Sequence, residues 1–136
     1  MNIIRLTFGT LLLSLGCAHS HSLESIVELG AKYEAHGQKE KAVLLYEEAL
    51  QRETPTQNHL HLGIYYYELA KLSDDAFQSR EYLEKAVDHL SYGGIENHWY
   101  SQAVDLLITT YNRFLKIYPE QEFYRQRLQQ LQRIKH

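Results

Sequence analysis

Histidine is the residue type through which this sequence could most readily bind a metal ion, because the chain of 136 residues contains eight of them. His59 and His61 are two residues apart, and this spacing places their side chains on different faces of a helix. The sequence has no His-x-x-x-His or Glu-x-x-His spacing and a single cysteine, so the usual zinc-ligand patterns are missing. We predict no resident metal and no cofactor, although His19 and His21 could bind a metal adventitiously.

Other catalytic chemistry has no recognisable constellation in the sequence. There is no nucleophile motif, no phosphate-binding glycine loop and no pair of carboxylates at a mechanistic spacing, and Gly93-Gly94 alone predicts only a helix break. The net charge of −3 and the lack of a basic stripe give no electrostatic reason to expect a nucleic-acid ligand. The sequence therefore predicts neither an enzyme nor a protein that binds nucleic acid or a small-molecule substrate.

Cys17, the only cysteine, follows an apolar run that extends from Leu6 to Leu15. The run is too short to span a bilayer as a mature helix, but it matches the central region of a secretory signal peptide. Ser14-Leu15-Gly16-Cys17 resembles the lipobox of bacterial lipoproteins. The resemblance implies cleavage after Gly16 and acylation of Cys17, with palmitate among the chains. The alternatives are an ordinary cleaved signal peptide and an amino-terminal helix with an incidental cysteine.

The lipoprotein resemblance also implies a location. Several acyl chains on one residue anchor a protein stably in a membrane, whereas a single chain binds only marginally. The family's signal for retention in the inner membrane is an aspartate directly after the cysteine, and this chain has Ala18 there. The resemblance thus implies an outer-membrane lipoprotein on the periplasmic face, with a cleaved signal peptide over 1–16 and a lipidated tether over 17–22.

One pattern of residues recurs along the chain with the spacing of paired helices. Its first copy is Leu-Gly-x-x-Tyr, from Leu29 to Tyr33, followed by Ala-x-x-x-Tyr-x-x-Ala, from Ala42 to Ala49. Residues three or four apart share a helix face, and the small residues allow two helices to approach closely. The pattern resembles the tetratricopeptide repeat (TPR), a helix–turn–helix unit of about 34 residues.

The second copy starts 33 residues after the first, at Leu62. The separation between its first-helix and second-helix patterns is four residues longer than in the first copy. Four residues are about one helical turn, so we expect an insertion near 72–75 that lengthens a helix or loop without rotating its packing face. A degenerate third copy surrounds Leu107 and Tyr111. The prediction is an all-α fold, a short α-solenoid of TPR-like hairpins with a carboxy-terminal capping helix. Its units are repeat one over 23–56, repeat two over 56–91 and a degenerate repeat with cap over 96–136.

Capping residues and periodicity set the predicted helix limits. Ser22, Thr54, Ser73 and Asn97 are the expected caps, with Pro55 at the first position of the third helix. The six helices are expected over Leu23–His36, Gln38–Glu53, from Thr54 to Leu72, from Ser73 to just before Tyr92, His98–Tyr118 and Glu120–Ile134.

In TPR proteins the first helix of each repeat lines a concave groove, so the resemblance implies a binding surface. The corresponding positions here are Glu24, Val27, Ala31, Glu34 and Ala35; Gln57, Leu60, Ile64, Tyr67 and Glu68; and Gln102, Asp105, Thr109, Asn112 and Arg113. The first two sets lack the lysine and asparagine clamp with which some members hold a terminal carboxylate, so an amphipathic helix or extended peptide fits better. The residues predicted to bind the partner are Val27, Glu34, Leu60, Ile64, Tyr67 and Glu68. The alternative is that several of them pack inside the stack.

The function implied by both resemblances is that of a membrane-anchored adaptor or scaffold. It would mediate protein–protein interactions during assembly of a bacterial envelope machine, such as a pilus, a secretion system or an outer-membrane complex. Its partners would be other envelope proteins, and its acyl chains on Cys17 would hold it at the membrane. The alternatives are a structural subunit of such a complex, an accessory factor or enzyme acting on the cell wall, and a cytosolic adaptor with an unprocessed amino terminus.

Overall fold

A computed structural model of the protein describes residues 22–92 and 97–135. All regular secondary structure in these two ranges is helical, which confirms the predicted all-α class. No helix in the described ranges is both long and apolar enough to cross a membrane. The predicted signal peptide, Cys17 and Gly93-Gly94 lie outside the described residues. The helices are α1 (Leu23–Ala35), α2 (Lys39–Glu53), α3 (His59–Leu72), α4 (Ala76–Leu90), α5 (His98–Ile117) and α6 (Glu122–Lys135).

Each helix packs against its neighbours in sequence, and α3 also contacts α5. The connections between α1 and α2 and between α3 and α4 have three residues each, so these helices form antiparallel hairpins. Helix α3 is the centre of the molecule, since nine of its 14 residues are buried. One side of α3 contributes Tyr65 and Leu69 to a core shared with α1 and α2, and the other contributes Ile64 and Tyr67 to a larger core that reaches α6.

The four residues by which the second copy exceeds the first lie in a helix. Helix α1 ends five residues after Gly30, whereas α3 ends nine residues after Gly63, and both are followed by connections of equal length. The extra turn is accompanied by a different contact for each glycine. A Cβ atom at Gly30 would overlap the Tyr46 hydroxyl, while one at Gly63 would lie 2.5 Å from Cγ of Leu90. Both glycines therefore allow close helix contact, as the pattern predicted.

Two predicted caps are confirmed and two are wrong. The Ser22 hydroxyl accepts a hydrogen bond from the Ser25 amide at 3.2 Å, and the Asn97 side chain accepts one from the Tyr100 amide at 2.8 Å. Helix α4, in contrast, is capped by the carboxylate of Asp75 and not by Ser73. Ser73 is instead the C-cap residue that follows the last residue of α3, Leu72.

The start of α3 also differs from the prediction. Thr54–Thr56 form one turn of 3-10 helix that continues from α2, with the Thr54 hydroxyl donating to the Leu50 carbonyl at 2.6 Å. Gln57 then takes a left-handed conformation with φ of 53°, which ends this turn. The side chain of Asn58 caps α3 by accepting from the His61 amide at 3.2 Å.

Helix α6 is held against the stack by a polar network as well as by Leu128 and Leu131, which are buried. Arg127 of α6 donates from Nη2 to Oε1 of Glu84 in α4 at 2.7 Å, and the Tyr111 hydroxyl of α5 donates to Oε2 at 2.6 Å. Burial alone would raise the pKa of the Glu84 carboxyl, but the hydrogen bonds from Arg127 and Tyr111 outweigh it and lower the pKa. Three helices thus converge on one carboxylate.

Candidate partner-binding groove

The six residues predicted to bind a partner do not form one open surface. Leu60 is 44% exposed and Glu34 is exposed, while Val27 is half-buried against the core. The other three lie on α3 and are buried, with exposed fractions of 0% for Ile64, 7% for Tyr67 and 4% for Glu68. Ile64 is a core residue, so it offers no surface to a partner, as the alternative interpretation expected.

A groove with a volume of about 570 Å³ lies between α3 and α5, next to Tyr67. It contains Tyr67 from the predicted set, together with four of the five positions carried over to the degenerate third repeat. Asn112, the fifth position, is exposed but does not line the groove. We call this concavity the α3–α5 groove, and its lining residues are Tyr67, Ala70, Lys71, Ser73, Ser79, Gln102, Asp105, Leu106, Thr109, Thr110 and Arg113.

The apolar part of the groove is built around Tyr67. Its ring meets Trp99 edge to face with centroids 5.9 Å apart, and the Nζ atom of Lys71 lies 4.8 Å from its ring centroid. Burial raises the pKa of the Tyr67 hydroxyl, so this group stays protonated and uncharged at neutral pH. Leu106 of α5 and Ala70 of α3 complete the apolar surface.

Two of the three charged side chains that line the groove are neutralised by partners in the same chain. Lys71 Nζ lies 3.0 Å from Oε1 of Glu68, and Asp105 Oδ1 lies 2.8 Å from Nζ of Lys135. Burial raises the pKa of Glu68 more than Lys71 lowers it, and the nearby charge of Glu34 raises it further. These two ion pairs leave little net charge at Lys71 and Asp105.

Arg113 is the third charged side chain that lines the groove, and it differs from the other two in its lack of an ion-pair partner among the described residues. It is exposed at the groove and makes no hydrogen bond or ion pair with any residue in the described ranges. Arginine presents a planar set of N–H donors that suits a carboxylate. This arginine is therefore an uncompensated positive charge at one position along α5.

The serine and threonine hydroxyls that line the groove share one hydrogen-bonding state, in which each donates its proton within the chain. Ser79 donates to the Ala70 carbonyl at 2.9 Å, and Thr110 donates to the Leu106 carbonyl at 2.8 Å. Thr109 donates in the same way to the carbonyl of the residue four positions earlier, at 3.1 Å. Because each hydroxyl proton is already used, the oxygens keep only lone pairs, and they can accept hydrogen bonds from a ligand.

A second polar cluster lies at the other end of α3, outside the groove. His59 and His89 approach through their Nδ1 atoms at 2.9 Å, and Tyr92 stacks on His59 with ring centroids 3.8 Å apart. Burial lowers the pKa of His89, and the neighbouring His59 lowers it further. No group of three potential metal ligands occurs in residues 22–92 and 97–135, so this pair lacks the ligands of a zinc site.

The positions predicted from the sequence and the lining of the α3–α5 groove overlap only in part. Lys71 was not among the predicted positions, although its spacing of three from Glu68 on α3 could have indicated the ion pair. Helix α1 contributes nothing to the groove. Comparison of the chain with protein-family models, curated proteins and solved structures finds no significant match.

Proposed function

We propose that this protein is an adaptor that binds a segment of a partner protein in the α3–α5 groove. The observation that carries the proposal is a groove of about 570 Å³ that combines an apolar ring, unused hydroxyl lone pairs and one uncompensated arginine. Ligand-binding grooves commonly consist of an apolar surface with a few placed polar groups. The groove holds no paired acid and base or activated nucleophile, which favours binding over catalysis.

The repeat pattern supports the same proposal. The two helices that line the groove are the first helices of the second and the degenerate third unit, which is where the TPR resemblance implies a partner. Binding there needs no large rearrangement, because α3 is fixed on both sides by buried residues. We therefore retain the TPR-like adaptor as the proposed class of protein.

The proposed location is the bacterial outer membrane, through acyl chains on Cys17. Anchoring confines a protein to two dimensions and raises its effective concentration near other envelope proteins. The adaptor would thereby recruit components of an envelope machine. A permanent structural subunit of such a machine, bound through α5 and α6, is the alternative.

The experiment tests both membrane anchoring through Cys17 and partner binding in the α3–α5 groove. Thr109→Trp places a bulky side chain on the groove wall, whereas Asn112→Trp places it on the exposed side of the same helix. We expect the wild type to fractionate with membranes and to crosslink reproducibly to a defined set of envelope proteins. Cys17→Ser should release the protein from membranes, and Thr109→Trp should abolish the crosslinks while Asn112→Trp leaves them intact. Equal crosslinking by both tryptophan variants would refute the groove as the binding surface.

A further inference from the structure

We propose that the occupant of the α3–α5 groove is an extended peptide with an acidic side chain, which Arg113 binds at one end of the groove. This inference rests on the proposed adaptor function and specifies the chemistry of the partner. It concerns an aspartate or glutamate side chain within a segment of the partner protein.

Arg113 determines the charge balance of the groove. Lys71 and Asp105 are neutralised at 3.0 Å and 2.8 Å by Glu68 and Lys135. Arg113 has no partner among the described residues, so it supplies the net charge of the groove. A carboxylate is the ligand that its planar guanidinium binds with two parallel hydrogen bonds.

The position of Arg113 along α5 determines where the acidic residue lies in the peptide. Arg113 lies eight residues after Asp105, which corresponds to about 12 Å at a rise of roughly 1.5 Å per residue. An extended peptide covers that distance in about four residues, at roughly 3.3 Å each. Asp105 is already paired with Lys135, so its end of the groove offers no unpaired cation to a second acid. The matching peptide therefore has an acidic residue at one end and a neutral residue about four positions away.

The hydroxyl groups of the groove wall determine how the peptide backbone is bound. The hydroxyls of Ser79, Thr109 and Thr110 donate within the protein and leave lone pairs. Such oxygens accept from N–H groups, and an extended peptide backbone presents N–H groups that are not used internally. The wall thus binds the peptide backbone, and Arg113 sets the side-chain preference.

The experiment uses the purified full chain and a displayed library of random peptides of 12 residues as the probe. We expect the wild type to select peptides with one recurring aspartate or glutamate. The best peptide and its Asp→Asn or Glu→Gln version are then measured by fluorescence anisotropy against wild type, Arg113→Gln and Arg133→Gln. Arg133 is an exposed arginine on α6 outside the groove, so it is the matched control.

Loss of either member of a hydrogen-bonded charge pair should weaken binding by about 10- to 100-fold. Changing Arg113 and the peptide acid together should add little to either change alone, and Arg133→Gln should have no effect. Selected peptides without an acidic preference, or unchanged binding to Arg113→Gln, would overturn this inference and leave groove binding intact. If the wild type selects no peptide, or if every selected peptide still binds to Thr109→Trp, the proposed function would be overturned as well.

Discussion

Glu68 and Lys71 form an ion pair on α3 in which one member is buried and the other reaches the groove. The Nζ and Oε1 atoms are 3.0 Å apart, and Glu68 is 4% exposed whereas Lys71 lines the groove. Burial raises the pKa of Glu68, Lys71 counteracts this only in part, and Glu34 adds to it. The ionised carboxylate is therefore less stable in the folded chain than in the unfolded chain.

This relationship predicts that Glu68→Gln stabilises the protein at neutral pH. The native state holds the Glu68 proton more tightly than the unfolded state does, so wild-type stability falls as the pH rises above the ordinary value of 4.5 toward the raised pKa. Urea unfolding should give a higher free energy of unfolding for the variant at pH 7 and a similar one at pH 4. Glu28→Gln, at an exposed pair with Lys32, should show neither effect. A less stable Glu68→Gln variant at pH 7 would contradict this account of the pair.

The His59–His89 contact predicts a second pH dependence with the opposite sign. Burial and the charge of His59 lower the pKa of His89, so the unfolded chain binds its proton more readily. Stability should then fall as the pH drops below the ordinary value of 6.5, down to the lowered pKa of the folded protein. Thermal unfolding between pH 7.5 and pH 5 should show this loss in wild type and in the control His36→Gln. His89→Asn should remove that part of the loss, and an unchanged profile would exclude His89 as its source.

The ion pair between Glu84 and Arg127 leads to a prediction about how α6 contributes to the stability of the fold. Arg127→Met should destabilise the protein by about 1–3 kcal/mol, because it leaves a carboxylate that is 25% exposed without its cation. Adding Glu84→Met should recover most of that loss, since two apolar groups can pack where a charge pair was. Equilibrium unfolding in urea measures both, with Arg125→Met at the exposed pair with Glu122 as control. A double variant less stable than Arg127→Met would show that the network contributes more than this pair.

The contact between Gly30 and Tyr46 predicts a rescue experiment. Gly30→Ala should cost about 1–3 kcal/mol, because the new Cβ would overlap the tyrosine hydroxyl. That hydroxyl is buried and has no hydrogen-bond partner in residues 22–92 and 97–135, so Tyr46→Phe alone should be neutral or stabilising. Tyr46→Phe should also relieve part of the cost of Gly30→Ala, because Oη is the atom nearest the new Cβ.

Gly37→Ala is the control for this rescue. Its φ is +70° and no atom lies within 4 Å of the added Cβ, so the cost comes from the backbone alone. Tyr46→Phe should leave that cost unchanged, as measured by urea unfolding. If Tyr46→Phe reduced the destabilisation by Gly30→Ala and by Gly37→Ala equally, the tyrosine hydroxyl would not be the cause of the Gly30→Ala cost.

Helix identity was predictable from the sequence because it depends on local periodicity. The apolar stripes gave six helices, and Ser22 and Asn97 were correct caps because each is followed directly by its helix. Thr54 and Ser73 failed because a second capping residue follows each within four positions, at Asn58 and Asp75. Which of two adequate caps is used depends on where the chain must turn, and that is set by the packing of whole helices.

The exposure of the candidate binding residues was less predictable, because exposure is a property of the assembled helices. Ile64 occupies a position carried over from the TPR groove, yet in this chain α3 is covered on two sides and Ile64 is fully buried. Arg113 was among the predicted positions of the third unit, but its lack of a partner depends on distances between helices. A sequence pattern can select the helix that lines a groove, while the charges left unpaired along it require the tertiary structure.

The most direct test of the account is photo-crosslinking from single positions on α5 in intact cells. A photoreactive phenylalanine analogue would replace Gln102 in the α3–α5 groove or Asn112 on the exposed side of the same helix. The account predicts one reproducible crosslinked protein from position 102, none from position 112, and loss of the product when Arg113→Gln is added. Crosslinks from position 112 alone, or a product from position 102 that Thr109→Trp does not diminish, would contradict it.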